Sequence, residues 1–291
     1  MLDITRAYGL DFLFPKNDMV IGASLRQYGE FARPEVELIV EHMGSGPEGS
    51  CYIDVGANIG SIALPVAQRL PAAQVIGVEA HRGLANVFAA NALNNRLYNV
   101  DAIHAAAGPA PGITRFTDAS LRRPINFGAF GMHLNDKTTT EAVRMCTLDE
   151  IAPPHTRFVK IDVEGFEPEV LKGASELIAR RETVWLLESN TTSADCGAGA
   201  MRVMADAGYR LFWFFAPFVT GLSSKAKLSQ AAGVGGDVNF VALPPGVEDT
   251  WGLTPIVDPG ADRPTSLEAF PYLRRFAIEP AAPPPVRVPA A

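Results

Sequence analysis

From about residue 34 the chain alternates between short apolar runs and amphipathic stretches. Pro34 suits the first turn of a helix, where its missing N–H costs nothing. Val36, Ile39, Val40 and Met43 then recur at helical spacing until Gly44 stops the pattern. SCYIDV (50–55) reads as a buried strand. Residues 61–70 read as a helix that Pro65 is expected to kink. AQVIGVEA (73–80) is a second strand, and Leu84, Val87, Phe88 and Asn91 mark one face of the next helix. VDAIHAAAG (100–108) is a third strand.

The rhythm breaks between residues 109 and 155, where two strand-like pieces flank the polar, Gly-rich stretch RRPINFGAFGMHLNDKTTT. It returns with the strand RFVKIDVEG (157–165), a single helix over 167–181 and the strand ETVWLLES (182–189). A helix near 199–207 leads to the aromatic strand YRLFWFF (209–215), and VNFVALP (238–244) closes the series. Apolar strands alternating with helices predict an α/β fold, a mostly parallel sheet with helices on both faces. Ligands of such sheets bind at the carboxyl ends of the strands. Residues just past each strand are therefore the candidates for chemistry.

The first strand ends in CYIDVGANIG. Glycines at Gly56 and Gly60 allow a sharp turn and close approach of backbone to a ligand. The second strand ends in Glu79, 19 residues past Gly60. A carboxylate there can accept both hydroxyls of a ribose, at the offset seen in nucleotide-binding folds. The third glycine of the dinucleotide fingerprint is missing, which favours an amino-acid-bearing nucleoside over a nicotinamide dinucleotide. Asp54 can attract an ammonium, and the turn N–H groups with Asn58 can hold a carboxylate.

Composition narrows the field. The chain has 291 residues, 47% hydrophobic and 20% charged, with net charge −7. Without a basic run, a nucleic acid is disfavoured as the main partner. Three scattered cysteines, Cys51, Cys146 and Cys196, give neither a zinc pattern nor a disulfide framework. The first residues lack the features of a signal peptide, and the aromatic run from Leu211 is too short to span a bilayer. A cytoplasmic location is the expectation.

YIDVGANIGSIALPVA, VIGVEAHRGLANVFAANALNN, AAAGPAPG and RFVKIDVEGFEPEVLKGASELI with WLLES resemble the FkbM family of S-adenosylmethionine-dependent methyltransferases. The likeness runs from roughly Asp18 to Pro244. It departs at Ala80 and His81, at Pro65, and from Trp251 onward. The resemblance implies a Rossmann-like class I methyltransferase fold, a seven-stranded, mostly parallel sheet with a reversed last hairpin. The expected organisation is a lead-in or cap over 1–48, a methyltransferase domain over 49–245 with a hairpin or lid insert at 109–155, and an extension over 246–291. A Pro-rich disordered tail is expected from about 279.

The resemblance also implies O-methylation of a hydroxyl on a saccharide, glycolipid or secondary metabolite. Asp54, Gly56, Ala57, Asn58, Gly60, Glu79, Ala80 and Ala106 are the expected cofactor contacts. Tyr28 and Glu30 are expected to close over the cofactor. Two readings of the chemistry stay open. In one, Asp162, Glu164 or His133 is the general base, with His81 and Glu188 touching the acceptor. In the other, Asp162, Glu188 and Asn190 are oxygen ligands for Mg²⁺. Phe212 to Phe215 and Phe218 form either a core strand or a stacking wall, with the core favoured. A nicotinamide-dependent oxidoreductase and a non-catalytic nucleoside-binding module are the competing functions.

Overall fold

The computed structural model describes residues 2–44, 46, 48–117, 120–128, 140–189, 194–226, 235–259 and 263–279. The chain opens with β1 (Leu2–Ala7) and β2 (Leu10–Pro15), an antiparallel hairpin turning on Tyr8 and Gly9, at φ 53° and 80°. Positive φ at both central residues matches the twist of the strands. The helices α1 (Ile21–Tyr28) and α2 (Arg33–Gly44) follow.

Next come β3 (Cys51–Val55), α3 (Ala63–Arg69), β4 (Gln74–Glu79), α4 (Arg82–Asn94) and β5 (Val100–His104). The anticipated kink at Pro65 does not form. The helix starts at Ala63, so Pro65 lies in the first turn, where backbone N–H groups have no intrahelical partner to lose. The third expected strand splits. After Ala105, whose N–H bonds the Glu79 carbonyl, β6 (Ala106–Ala107) leaves the main sheet. It joins β7 (Gly112–Thr117) and β8 (Thr140–Cys146) in a three-stranded sheet of order β6-β8-β7.

The short α5 (Leu148–Ile151) leads to β9 (Thr156–Ile161). The single helix expected next is two, α6 (Glu167–Lys172) and α7 (Ser175–Arg180). Gly173 breaks it because this backbone packs on another: a Cβ there would meet the Gly108 carbonyl oxygen at 2.1 Å. The chain continues through β10 (Val184–Glu188), α8 (Ala194–Asp206), β11 (Arg210–Pro217), β12 (Gly236–Leu243) and β13 (Thr254–Pro255).

The main sheet has the order β13-β11-β12-β10-β9-β3-β4-β5. β10, β9, β3, β4 and β5 are parallel, whereas β11 and β12 form the reversed hairpin. This is the expected Rossmann-like order, with eight strands among the described residues instead of seven. The extra one, β13, comes from the segment past Trp251. Trp251, Phe270, Tyr272, Leu273 and Phe276 are buried against β11. Tyr272 stacks on Phe214 at 5.2 Å, and its hydroxyl bridges the backbone of Phe215, accepting from N–H at 2.6 Å and donating to C=O at 2.7 Å. Tyr272→Phe is expected to lower stability by about 1–3 kcal/mol, because both buried backbone groups lose their partner. Urea denaturation measures it, and a loss under about 0.5 kcal/mol would show the bridge to be idle. The expected Pro-rich tail lies beyond Glu279, outside the described residues.

Candidate functional site

The carboxyl ends of β3, β4, β9 and β10 open on one cleft, roofed by residues 126–128 on one side and by Phe31 and Phe218 on the other. Phe31 and Phe218 stack at 5.4 Å. The rest of the aromatic run, Phe212 to Phe215, is buried in β11 as core.

β3 delivers Asp54 to the cleft, 1% exposed, and its Oδ1 has no hydrogen-bond partner among the described residues. Burial raises its carboxyl to about 6, and the charge of Lys160 opposes the rise. The turn beyond it holds Gly56, Asn58 and Gly60 at φ 84°, 52° and 85°. Gly56 is required twice: its φ is left-handed, and a Cβ would sit 1.9 Å from the Asp162 carbonyl oxygen.

The turn N–H groups do not have the role expected of them. Gly56 and Ala57 donate to the Val78 carbonyl, Asn58 to the Glu79 carboxylate, Ile59 to the Asn58 side chain and Gly60 to the Ala57 carbonyl. The Asn58 amide donates to the Phe127 carbonyl at 3.2 Å, tying down the roof. Gly60 is off the cleft wall and packs against Phe88, whereas Ser61 lines it. The turn thus shapes the cleft and is satisfied internally.

Glu79, Ala80 and Ala106 line the neighbouring wall with Ala57. Each Glu79 oxygen accepts one backbone N–H, from Asn58 at 2.8 Å and His81 at 2.7 Å, which fixes the carboxylate and leaves each oxygen a second acceptor site. Burial raises it to about 7, opposed by those two bonds. His81 is buried at the wall, and its Nδ1 caps α4 by accepting from the Leu84 N–H at 3.3 Å.

The far wall carries acids. Asp162 and Glu164 follow β9, and the parallel pairing of Leu187 with Ile161 brings Glu188 of β10 beside them. One oxygen from each of the three lies within 4.8 Å of the other two. Glu164 sits in the left-handed region at φ 55°. The turn is held by Glu167, whose Oε1 accepts from Val163 and Gly165 at 3.1 and 3.2 Å. Burial and the nearby Asp162 hold the Glu188 carboxyl far above the usual range. Asp237, at the start of β12, is raised to about 7 by burial and Asp162.

Lys160 is the buried cation among them. Its Nζ donates to Asp162 Oδ2 at 2.8 Å and lies 3.8 Å from Glu35 Oε2. Burial opposes its charge, but Asp162, Glu35 and Asp54 outweigh burial and keep it protonated. Glu35, from α2, is raised to about 8 by burial, with Lys160 pulling the other way.

The described sequence-expected residues gather on one cleft, except Gly60, Tyr28 and Glu30, which do not line it. His133 and Asn190 lie outside the described residues. Glu30 does not close over the cleft: its carboxylate is fully buried, paired with Arg33 and accepting from the N–H and hydroxyl of Thr220. Lys160, Glu35 and Asp237 were missed as site residues, and residues 126–128 fall in the stretch expected as a hairpin or lid insert. The available signal was a lone lysine inside the apolar run FVKI, a charge that demands anions around it.

Among solved structures, the fold is similar to a methyltransferase FkbM from Methylobacillus flagellatus KT (16% identity, TM-score 0.46, covering 74% of this chain and 49% of that one). It is also similar to an S-adenosylmethionine-dependent methyltransferase from Agrobacterium tumefaciens (12%, TM-score 0.48, 84% and 70%). A putative O-methyltransferase from Klebsiella pneumoniae is a third likeness (13%, TM-score 0.42, 81% and 84%). This chain spans about half the length of the Methylobacillus protein. No curated protein matches the sequence. The family model of the methyltransferase FkbM domain matches residues 54–211, more than half of the chain, and the protein belongs to that family.

Proposed function

We propose that the protein transfers the methyl group of S-adenosylmethionine to a hydroxyl of a saccharide, glycolipid or secondary metabolite. The observation that carries this reading is the pair of buried carboxylates at adjacent strand tips. Asp54 keeps an unpartnered oxygen, suited to an ammonium, and Glu79 is held by two N–H groups with acceptor sites to spare, suited to two ribose hydroxyls. Ser61, Ala57 and Ala106 complete a wall that fits an amino-acid-bearing nucleoside.

When bound, the cofactor supplies a methyl group on sulfonium; the acceptor oxygen bonds to that carbon as the C–S electron pair goes to sulfur. The chain's part is to align the acceptor and take its proton, and alignment alone supplies several orders of magnitude. The Lys160 ammonium occupies Asp162 Oδ2 at 2.8 Å, which leaves Asp162 less available for the acceptor's proton. Glu164, beside it, takes the hydroxyl proton. Glu188 and His81 bound the acceptor side. The same proposal sets the reaction on a small-molecule or glycan acceptor in the cytoplasm, in keeping with the free, buried thiols of Cys51 and Cys146. Among the described residues, no helix is long and apolar enough to cross a membrane.

Calorimetry with S-adenosylhomocysteine and with NADH tests this. Binding of the first alone, weakened about tenfold or more by Glu79→Ala through the lost ribose hydrogen bonds, is the expected result. Binding of NADH, or of neither, overturns it.

A further inference from the structure

We propose that Asp162, Glu164 and Glu188 together bind a hard divalent cation, Mg²⁺ or its surrogate Mn²⁺. Binding of the ion stands on these carboxylates alone; only the use made of it rests on the methyltransferase reading.

Hard cations hold oxygens at roughly 2.0–2.6 Å, so oxygens on one ion lie about 3–5 Å from each other. One oxygen from each of the three carboxyls satisfies this, within 4.8 Å of the others. The donors are all carboxylate, which selects Mg²⁺, Mn²⁺ or Ca²⁺ over thiophilic metals.

Glu188 is 8% exposed, and its Oε2 has no hydrogen-bond partner among the described residues. A buried carboxyl oxygen left in that state is costly, and native proteins satisfy such atoms. Arg263 feels the charge of Glu188, but no side-chain cation hydrogen-bonds Glu188 Oε2 among the described residues. Lys160 faces Asp162 and Glu35, and Arg263 donates to the Ser189 carbonyl. A cation in the cleft that Glu188 lines with Asp162 and Glu164 would satisfy that oxygen.

The fold builds this arrangement from two local facts. Asp162 and Glu164 are two residues apart at the end of β9, and the parallel ladder sets the end of β10 next to them. Asp162 keeps Oδ2 on Lys160 and has Oδ1 for the ion. An ion here would bind the acceptor hydroxyl and lower its pKa, while the second oxygen of Glu164 accepts the proton.

The test is a Mn²⁺ titration of the full chain followed by electron paramagnetic resonance, in parallel with S-adenosylhomocysteine calorimetry. We expect one saturable Mn²⁺ per chain, displaced by Mg²⁺. Glu188→Gln should weaken it about tenfold or more and leave S-adenosylhomocysteine binding intact. Asp162→Asn serves as a second variant, with the same expected loss of Mn²⁺. No saturable Mn²⁺ beside normal S-adenosylhomocysteine binding overturns the metal site and leaves the methyltransferase reading standing. Mn²⁺ held equally by the wild type and both folded variants also overturns it. Mn²⁺ bound as expected without any S-adenosylhomocysteine binding supports the site and sinks the methyltransferase reading instead.

Discussion

Glu164→Gln is expected to slow methyl transfer about 10²–10⁴-fold, the range for removing a general base, with S-adenosylhomocysteine bound as tightly as by the wild type. The substitution is nearly isosteric, and in the proposed reading Glu164 serves the acceptor while Asp54 and Glu79 hold the cofactor. Asp162 is the obvious rival for the proton. Its Oδ2 accepts from the Lys160 ammonium at 2.8 Å, so that oxygen is already occupied. The backbone at Glu164 adds a second reason. A non-glycine residue at φ 55°, followed by Gly165 at φ 95°, is a strained conformation. Surrounding bonds from Glu167 maintain it, and such strain gathers where a side chain must be aimed. The assay is formation of S-adenosylhomocysteine with an accepted hydroxyl compound. An unchanged rate in Glu164→Gln, with loss in Asp162→Asn, would move the proton to Asp162.

The parallel core was legible because β3, β4, β9 and β10 are almost wholly buried and read as largely apolar runs ending in a charge, whereas the edge strand β5 is mostly exposed. Asp54, Glu79, Asp162 and Glu188 all mark such ends. The turn after β3 was legible as a turn, but not in its wiring. Whether an N–H group faces a ligand or a neighbouring carbonyl depends on the register of β3 against β4, which single-chain spacing does not encode. The N-terminal hairpin carried only a weak signal, the Tyr8–Gly9 pair between two short runs. The segment past Trp251 could be read only as an extension because its large residues have neither helical nor strand period. Trp251, Tyr272 and Phe276 are held by the surface of β11, a tertiary contact with no local signature. Glu35 was hidden for a related reason: it lies on the amphipathic helix α2, where an acid is ordinarily a solvated residue.

Lys160→Met is expected to cost about 3–5 kcal/mol, the usual penalty for removing one partner of a buried ion pair. Methionine fills much of the lysine stem, so packing is largely kept and the loss reads the charge. The side chain of Lys160 is only 6% exposed and faces Asp162, Glu35 and Asp54. Without it those acids share a low-dielectric wall with no cation. The dependence on pH separates this from a packing defect. Asp54 and Glu35 have folded pKa values of about 6 and about 8, above their ordinary ones. Each therefore favours folding while protonated, and that contribution is lost as the pH rises through those values. In the wild type Lys160 limits the loss, because it offsets each carboxylate as it ionises. In the variant both folded pKa values move higher, and the loss grows. The deficit measured by urea denaturation should thus widen between about pH 5.5 and about pH 8.5. A deficit equal at both ends would mean that Lys160 supports the site by filling space, and that the acids around it are neutral or hydrated without its help.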